Sequence, residues 1–192
     1  MLKKFHEAAL DEIYVPGSNE EVFSGRLLKV QRDHVTLPNG NDTTREYIRH
    51  PGAVAIVPVL ADGSVVLVKQ CRYPLATLLW EIPAGKLDSR EEDRLLAAQR
   101  ELREETGLSA GKWTHLNDLL TTVGFCDEKI SIYLARELHR GESHPDDDEF
   151  LNLIRMPFGE ALEMVLSGEI QDAKTISALL MTDALLRKER GQ

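Results

Sequence analysis

Three glutamates, Glu101, Glu104 and Glu105, stand in the segment Arg100-Glu101-Leu102-Arg103-Glu104-Glu105-Thr106-Gly107-Leu108. Residues three and four apart share a helical face, so this spacing gathers the carboxylates on one side and turns Leu102 toward a core. Like charges on one face repel, and acids near a helix C-terminus oppose its macrodipole. The arrangement is therefore unfavourable unless a cation offsets it. Oxygen-only ligands suit a hard divalent ion, Mg²⁺ first and Mn²⁺ as the alternative, and such an ion keeps waters and binds phosphate oxygens as well. Taken alone, the nonapeptide fits equally a solvated acidic face with Arg100 and Arg103 as partners.

The helix that must carry these groups is predicted over residues 89–106. Leu95, Leu96, Ala98 and Leu102 supply its apolar spacing, Ser89 with Glu92 makes a capping box, and Gly107 ends it. Ahead of it, residues 54–60 and 65–68 are apolar runs joined by the turn Ala61-Asp62-Gly63-Ser64, and they read as paired central strands. Strands are also predicted at 119–123, 130–135 and 150–155, and helices at 158–166 and 174–187. Nearer the N-terminus, strand-like runs at 22–30, 35–37 and 43–48 flank Asn39-Gly40, a hairpin signal because both residues tolerate positive φ. This gives a small antiparallel sheet over residues 1–50 and a second domain over 51–192, with the boundary near Pro51 and the two parts packed together.

Composition narrows the class. The chain has 192 residues, 42% hydrophobic and 29% charged, which is globular composition. No apolar stretch is long enough to span a bilayer, and residues 1–11 lack an export signal's core, so no membrane partner and a cytoplasmic location are expected. A formal net charge of −9 argues against nucleic-acid binding, which needs concentrated positive charge. Cys71 and Cys126 are far apart without metal-ligand spacing and read as reduced thiols.

Upstream of the glutamates, Trp80-Glu81-Ile82-Pro83-Ala84-Gly85-Lys86-Leu87-Asp88 runs into the predicted helix. From Gly85 onward, the whole segment resembles the Nudix box. From Glu92 to Leu108 the match is complete, whereas six residues separate Gly85 from Glu92 where the family usually has five. Counting back from Arg100 selects Glu92, because an extra residue in a loop leaves the helical phase intact while one inside the helix rotates the face by about 100 degrees. The resemblance implies an α/β (α+β) fold, the Nudix α/β/α sandwich with a mixed sheet, carrying the N-terminal antiparallel sheet as a subdomain. It implies that Glu101 and Glu105 are the main metal ligands, that Glu104 assists and that the Ala84 carbonyl adds a ligand. Glu92 then pairs with Arg100 to brace loop and helix, and Gly85 and Gly107 complete the structural box.

Hydrolysis of a pyrophosphate needs an activated water and charge neutralisation on the phosphates, both of which clustered cations supply. The family often draws a general base from a loop outside the box. The segment His144-Pro145-Asp146-Asp147-Asp148-Glu149 is the candidate, with Glu149 first and Asp147 or Asp148 second, against a plain acidic turn. Val68-Lys69-Gln70-Cys71-Arg72-Tyr73-Pro74 and Gly168-Glu169-Ile170-Gln171-Asp172-Ala173-Lys174-Thr175 resemble the ADP-ribose pyrophosphatase branch. That likeness implies a small nucleoside diphosphate sugar as substrate, with Arg72 on a phosphate, Glu81 in the pocket and Glu128 on a ribose. Members of the branch are commonly homodimers that exchange N-terminal sheets, and Tyr14 and Phe23 are the aromatic residues available to stack on the base, or simply to pack. Many ADP-ribose hydrolases carry Pro-Gly where Val123-Gly124 stands here. A hydrolase of GDP-mannose or a similar sugar nucleotide, or a non-hydrolytic ADP-ribose-binding module, is the alternative.

Overall fold

A computed structural model describes residues 12–141 and 152–191. The chain divides into two compact units, one of residues 1–50 with 122–127 and one of residues 51–121 with 128–192.

In the first unit, β3 (Lys29–Thr36) is the hub. It pairs antiparallel with β1 (Ile13–Tyr14), β2 (Glu20–Ser24) and β4 (Asp42–Ile48). The β3–β4 turn is the expected Asn-Gly hairpin: Gly40 has a φ of 82° and the Asn39 side chain accepts from Asn41 N–H. The predicted 22–30 strand is instead broken between β2 and β3. Residues 122–127 attach to the end of β4 through Ile48 N–H to the Phe125 carbonyl at 2.8 Å, and Asp127 receives the His50 N–H and an Arg49 ion pair.

In the second unit, β5 (Ala53–Pro58) lies parallel to β10 (Lys129–Arg140). β8 (Ala84–Lys86) and β9 (Leu108–Leu120) flank them antiparallel, so the four-stranded sheet is mixed. Side chains on this sheet alternate between two cores, as a period of two requires. Val54, Ile56, Tyr133 and Ala135 pack beneath α1 (Arg94–Thr106) with Ala98 and Leu102. Ala55, Val57, Ile132 and Leu134 face the other way, toward α3 (Ala173–Arg190) and α2 (Phe158–Leu166). On that side lies a three-stranded sheet of β11 (Asn152–Pro157), β6 (Ser64–Arg72) and β7 (Thr77–Glu81). Helices thus cover both faces of the mixed sheet, which is the α/β architecture expected.

Three local expectations change. The apolar runs after Gly52 do not pair with each other: β5 joins the mixed sheet, β6 joins the second sheet, and only Val59 and Val65 bridge them. Strands buried on both sides lose the alternation that would have distinguished their partners. The helix begins at Arg94 rather than 89, capped by the Asp93 carboxylate, which accepts from Leu95 and Leu96 N–H at 2.9 Å. The Glu92 side chain is engaged elsewhere, so the predicted capping box does not form. β9 starts at Leu108, directly after the helix, where a strand was expected only from 119. Both cysteines are free. Among the described residues no helix is long and apolar enough to cross a membrane.

Candidate functional site

Helix α1 ends where the αL residue Gly107 sends its N–H to the Arg103 carbonyl, and its last two turns present the acidic face. Leu102 is fully buried beneath it and fixes the rotation of the helix. That rotation turns Glu101 and Glu105 inward, 7% and 4% exposed, while Glu104 remains half-buried. Both inner carboxylates meet β8. Ala84 N–H donates to Glu105 at 3.1 Å, and a Cβ added to Gly85 would stand 1.9 Å from the Glu101 carboxyl carbon. Only glycine lets this strand approach the helix with the carboxylate between them.

Arg100 ties the acids together. Its Nη1 donates to Glu101 at 2.7 Å and Glu104 at 3.1 Å, and its Nη2 reaches Glu92 at 3.3 Å and the Lys86 carbonyl at 3.4 Å. Burial alone would lower the guanidinium pKa, but the Glu101 charge and these hydrogen bonds outweigh it and raise it above its ordinary value. Glu92 also accepts from Asp88 N–H at 2.7 Å, so it links the loop ahead of α1 to the helix.

The donor set fits a hard divalent cation: three carboxylates on one face, two of them buried, Glu101 against a glycine that leaves room for it, with oxygen as the only ligand atom. As placed, the carboxylates turn to Arg100 and Ala84 N–H. Among the described residues, no three acidic, histidine or cysteine side chains converge on one point.

A second polar cluster spans β6, β7 and the start of α3. Glu81 has no solvent exposure, and Arg72 grips it with Nε at 2.6 Å and Nη2 at 2.5 Å. The Lys174 ammonium donates to the same carboxylate and pairs with Asp172 at 3.0 Å. Asp172 caps α3 by accepting from Thr175 N–H, and the Thr175 hydroxyl receives the Ile82 N–H at 3.0 Å. Desolvation would raise the Glu81 pKa, but the Arg72 hydrogen bond and the Lys174 charge lower it below the usual carboxylate range. The Arg72 pKa is raised, first by its bond to Glu81, with Asp172 and Glu105 adding through space.

Glu128 lies just ahead of β10 and accepts from the Thr121 hydroxyl at 2.7 Å. Tyr14 and Phe23 belong to the other unit, exposed on β1 and β2. Glu149, with Asp147 and Asp148, lies outside the described residues. Lys174, Asp172 and Thr175 had no role assigned from sequence; an acid followed three residues on by threonine at a helix start was the available signal, and it marks a cap rather than a link to Glu81.

Known proteins are similar to this chain over most of its length. The NUDIX domain profile matches residues 49–179. The chain is 42% identical over 174 residues to the methanol dehydrogenase activator of Bacillus methanolicus, covering 88% of this chain and 94% of that protein. It is 42% identical over 164 residues to the ADP-ribose pyrophosphatase of Bacillus subtilis (strain 168), covering 84% and 88%. A crystal structure of an ADP compounds hydrolase superposes with a TM-score of 0.84 at 25% identity, over 95% of this chain and 98% of that one. The matched stretch contains the carboxylate helix, the glycine strand packed on it and both sheets beneath, and the chain belongs to the NUDIX domain family.

Proposed function

We propose that the protein hydrolyses the pyrophosphate bond of ADP-ribose, giving AMP and ribose 5-phosphate, with Glu101, Glu104, Glu105 and the Ala84 carbonyl holding Mg²⁺. The carrying observation is the presence in one unit of two features: the carboxylate face of α1 with Glu101 packed on Gly85, and the Arg72 fork on the buried Glu81. The similarity to an ADP-ribose pyrophosphatase over most of both chains supports the choice of substrate.

A divalent cation held by Glu101, Glu104, Glu105 and the Ala84 carbonyl would supply water activation and charge neutralisation on the phosphates. The rest falls to side chains. Arg72 spends Nε and Nη2 on Glu81, which leaves Nη1 outside that pair for a substrate phosphate oxygen. Arg100 balances part of the acidic charge and keeps the helix and its leading loop in register. Glu149 is assigned the general base, Glu128 the ribose, and Tyr14 and Phe23 the base, contributed through a homodimer of N-terminal units.

The test is product analysis with Mg²⁺ against ADP-ribose, GDP-mannose, UDP-glucose, diadenosine polyphosphates and nucleoside triphosphates. Selective release of AMP and ribose 5-phosphate from ADP-ribose is expected. Preference for GDP-mannose would keep the metal site and move the substrate; no turnover with either Mg²⁺ or Mn²⁺ would favour a binding module. The equal identity to a methanol dehydrogenase activator favours a second reading, in which the same chain also regulates a partner dehydrogenase. Adding wild type and Glu105→Gln to a methanol dehydrogenase assay decides it: stimulation by neither removes that reading.

A further inference from the structure

The first turn of α3 holds an ammonium in an unfavourable place. Lys174 is 8% exposed, and a cation there faces the positive end of the helix macrodipole. Burying the ammonium also strips it of hydration, a second cost. What offsets both costs is contact with two acids, the N-cap Asp172 and the fully buried Glu81. Glu81 is the carboxylate that Arg72 grips, so the lysine reaches Arg72 through one shared group.

Charge balance shows what this link does. Two acids, Glu81 and Asp172, face two bases, Arg72 and Lys174, and the group is neutral. Without the lysine, Arg72 would face both acids alone, with Glu105 adding a third negative charge at longer range. A buried carboxylate that loses one of its cations draws harder on the other. A guanidinium so held is less available to a phosphate, and the surplus negative charge repels a diphosphate.

We infer that Lys174 is a positioning residue for the diphosphate: by offsetting Glu81 and Asp172 it keeps Arg72 oriented and available to a substrate phosphate. This rests on the proposed hydrolysis and on the assignment of Arg72 to a phosphate. The sequence element that opens α3 thereby has a role in substrate binding as well as in capping.

The test is steady-state kinetics on the substrate that wild type turns over best. Lys174→Met is expected to raise KM about tenfold while kcat changes less than about threefold, because Arg72 acts in binding. Arg72→Ala raises KM comparably, and the double variant is no worse than Arg72→Ala alone, since the lysine acts through the arginine. Lys174→Arg, which keeps the charge, restores KM to within about threefold of wild type. A purely structural lysine would lower Tm in both Lys174→Met backgrounds and leave KM alone. KM within about threefold of wild type in Lys174→Met, or a KM effect that adds to that of Arg72→Ala, overturns the inference. If Lys174→Met does not fold, Lys174→Gln, which removes the charge but keeps an N–H donor for Glu81, takes its place: a KM raised more than about threefold supports the inference, and a smaller change overturns it. Absence of turnover in wild type removes the function and this inference with it; turnover by wild type with an unchanged Lys174→Met removes the inference alone.

Discussion

A single methyl group at residue 85 tests the site as sharply as the loss of a carboxylate, because an added Cβ would occupy the place of the Glu101 carboxyl group. Gly85→Ala is expected to weaken Mg²⁺ binding and lower kcat/KM by at least about tenfold, checked by metal titration alongside kinetics. Glu105→Gln keeps its hydrogen-bonding shape beside Ala84 but loses its charge; it should fold, bind substrate and lose at least about two orders of magnitude in turnover. Near-normal turnover would remove Glu105 from the mechanism. The glutamates were legible in the sequence because their relation is local: spacings of three and four on one helix fix a shared face. Lys174 was not, since its partner Glu81 lies 93 residues away and only the folded sheet brings them together.

Elements were legible where periodicity or turn chemistry was unambiguous, as in the Asn-Gly hairpin and the C-terminal stop of α1 at Gly107. The start of α1 was not, because Ser89 and Asp93 are both good caps and only tertiary contacts decide. Glu92 is committed to Arg100 and Asp88, so Asp93 caps the helix. Asp93→Ala should therefore cost about 1 kcal/mol in denaturant unfolding, and Ser89→Ala much less. Sheet membership was equally hidden, since β5 and β6 are both apolar runs, yet they enter different sheets. The first turn of α3 joins this layer to the site, because the buried Thr175 hydroxyl satisfies Ile82 N–H just before the Ala84-Gly85 strand. Thr175→Val leaves that donor unpaired and is expected to cost about 1–3 kcal/mol.

Acid sensitivity belongs to the molecule as a whole, because each carboxylate held below its ordinary pKa adds stability that vanishes as it is protonated. Desolvation would raise the pKa of Asp118, but hydrogen bonds from Ser131, His115 and Lys129 hold it at about 2, against an ordinary 3.8. Its contribution is therefore complete above the ordinary value and is lost as pH falls toward about 2. The pH dependence of urea unfolding over that window should flatten in Asp118→Asn, and an unchanged slope would exclude this carboxylate as a source. The composition of the chain gave no access to such couplings, nor to the membership of residues 122–127, which interrupt the second unit in sequence and join the first. The peptide chain consequently passes between the units three times, after residues 50, 121 and 127, rather than once. The N-terminal sheet is thus not a cassette with one seam: a chain cut at Pro51 keeps the Phe125 carbonyl and the Asp127 carboxylate but loses the Ile48 and His50 donors that engage them. Such a truncation should be nicked by protease within residues 122–127 while the full chain resists there. The same three seams mean that no single recombination event can exchange the N-terminal sheet between relatives and carry all of its pieces across.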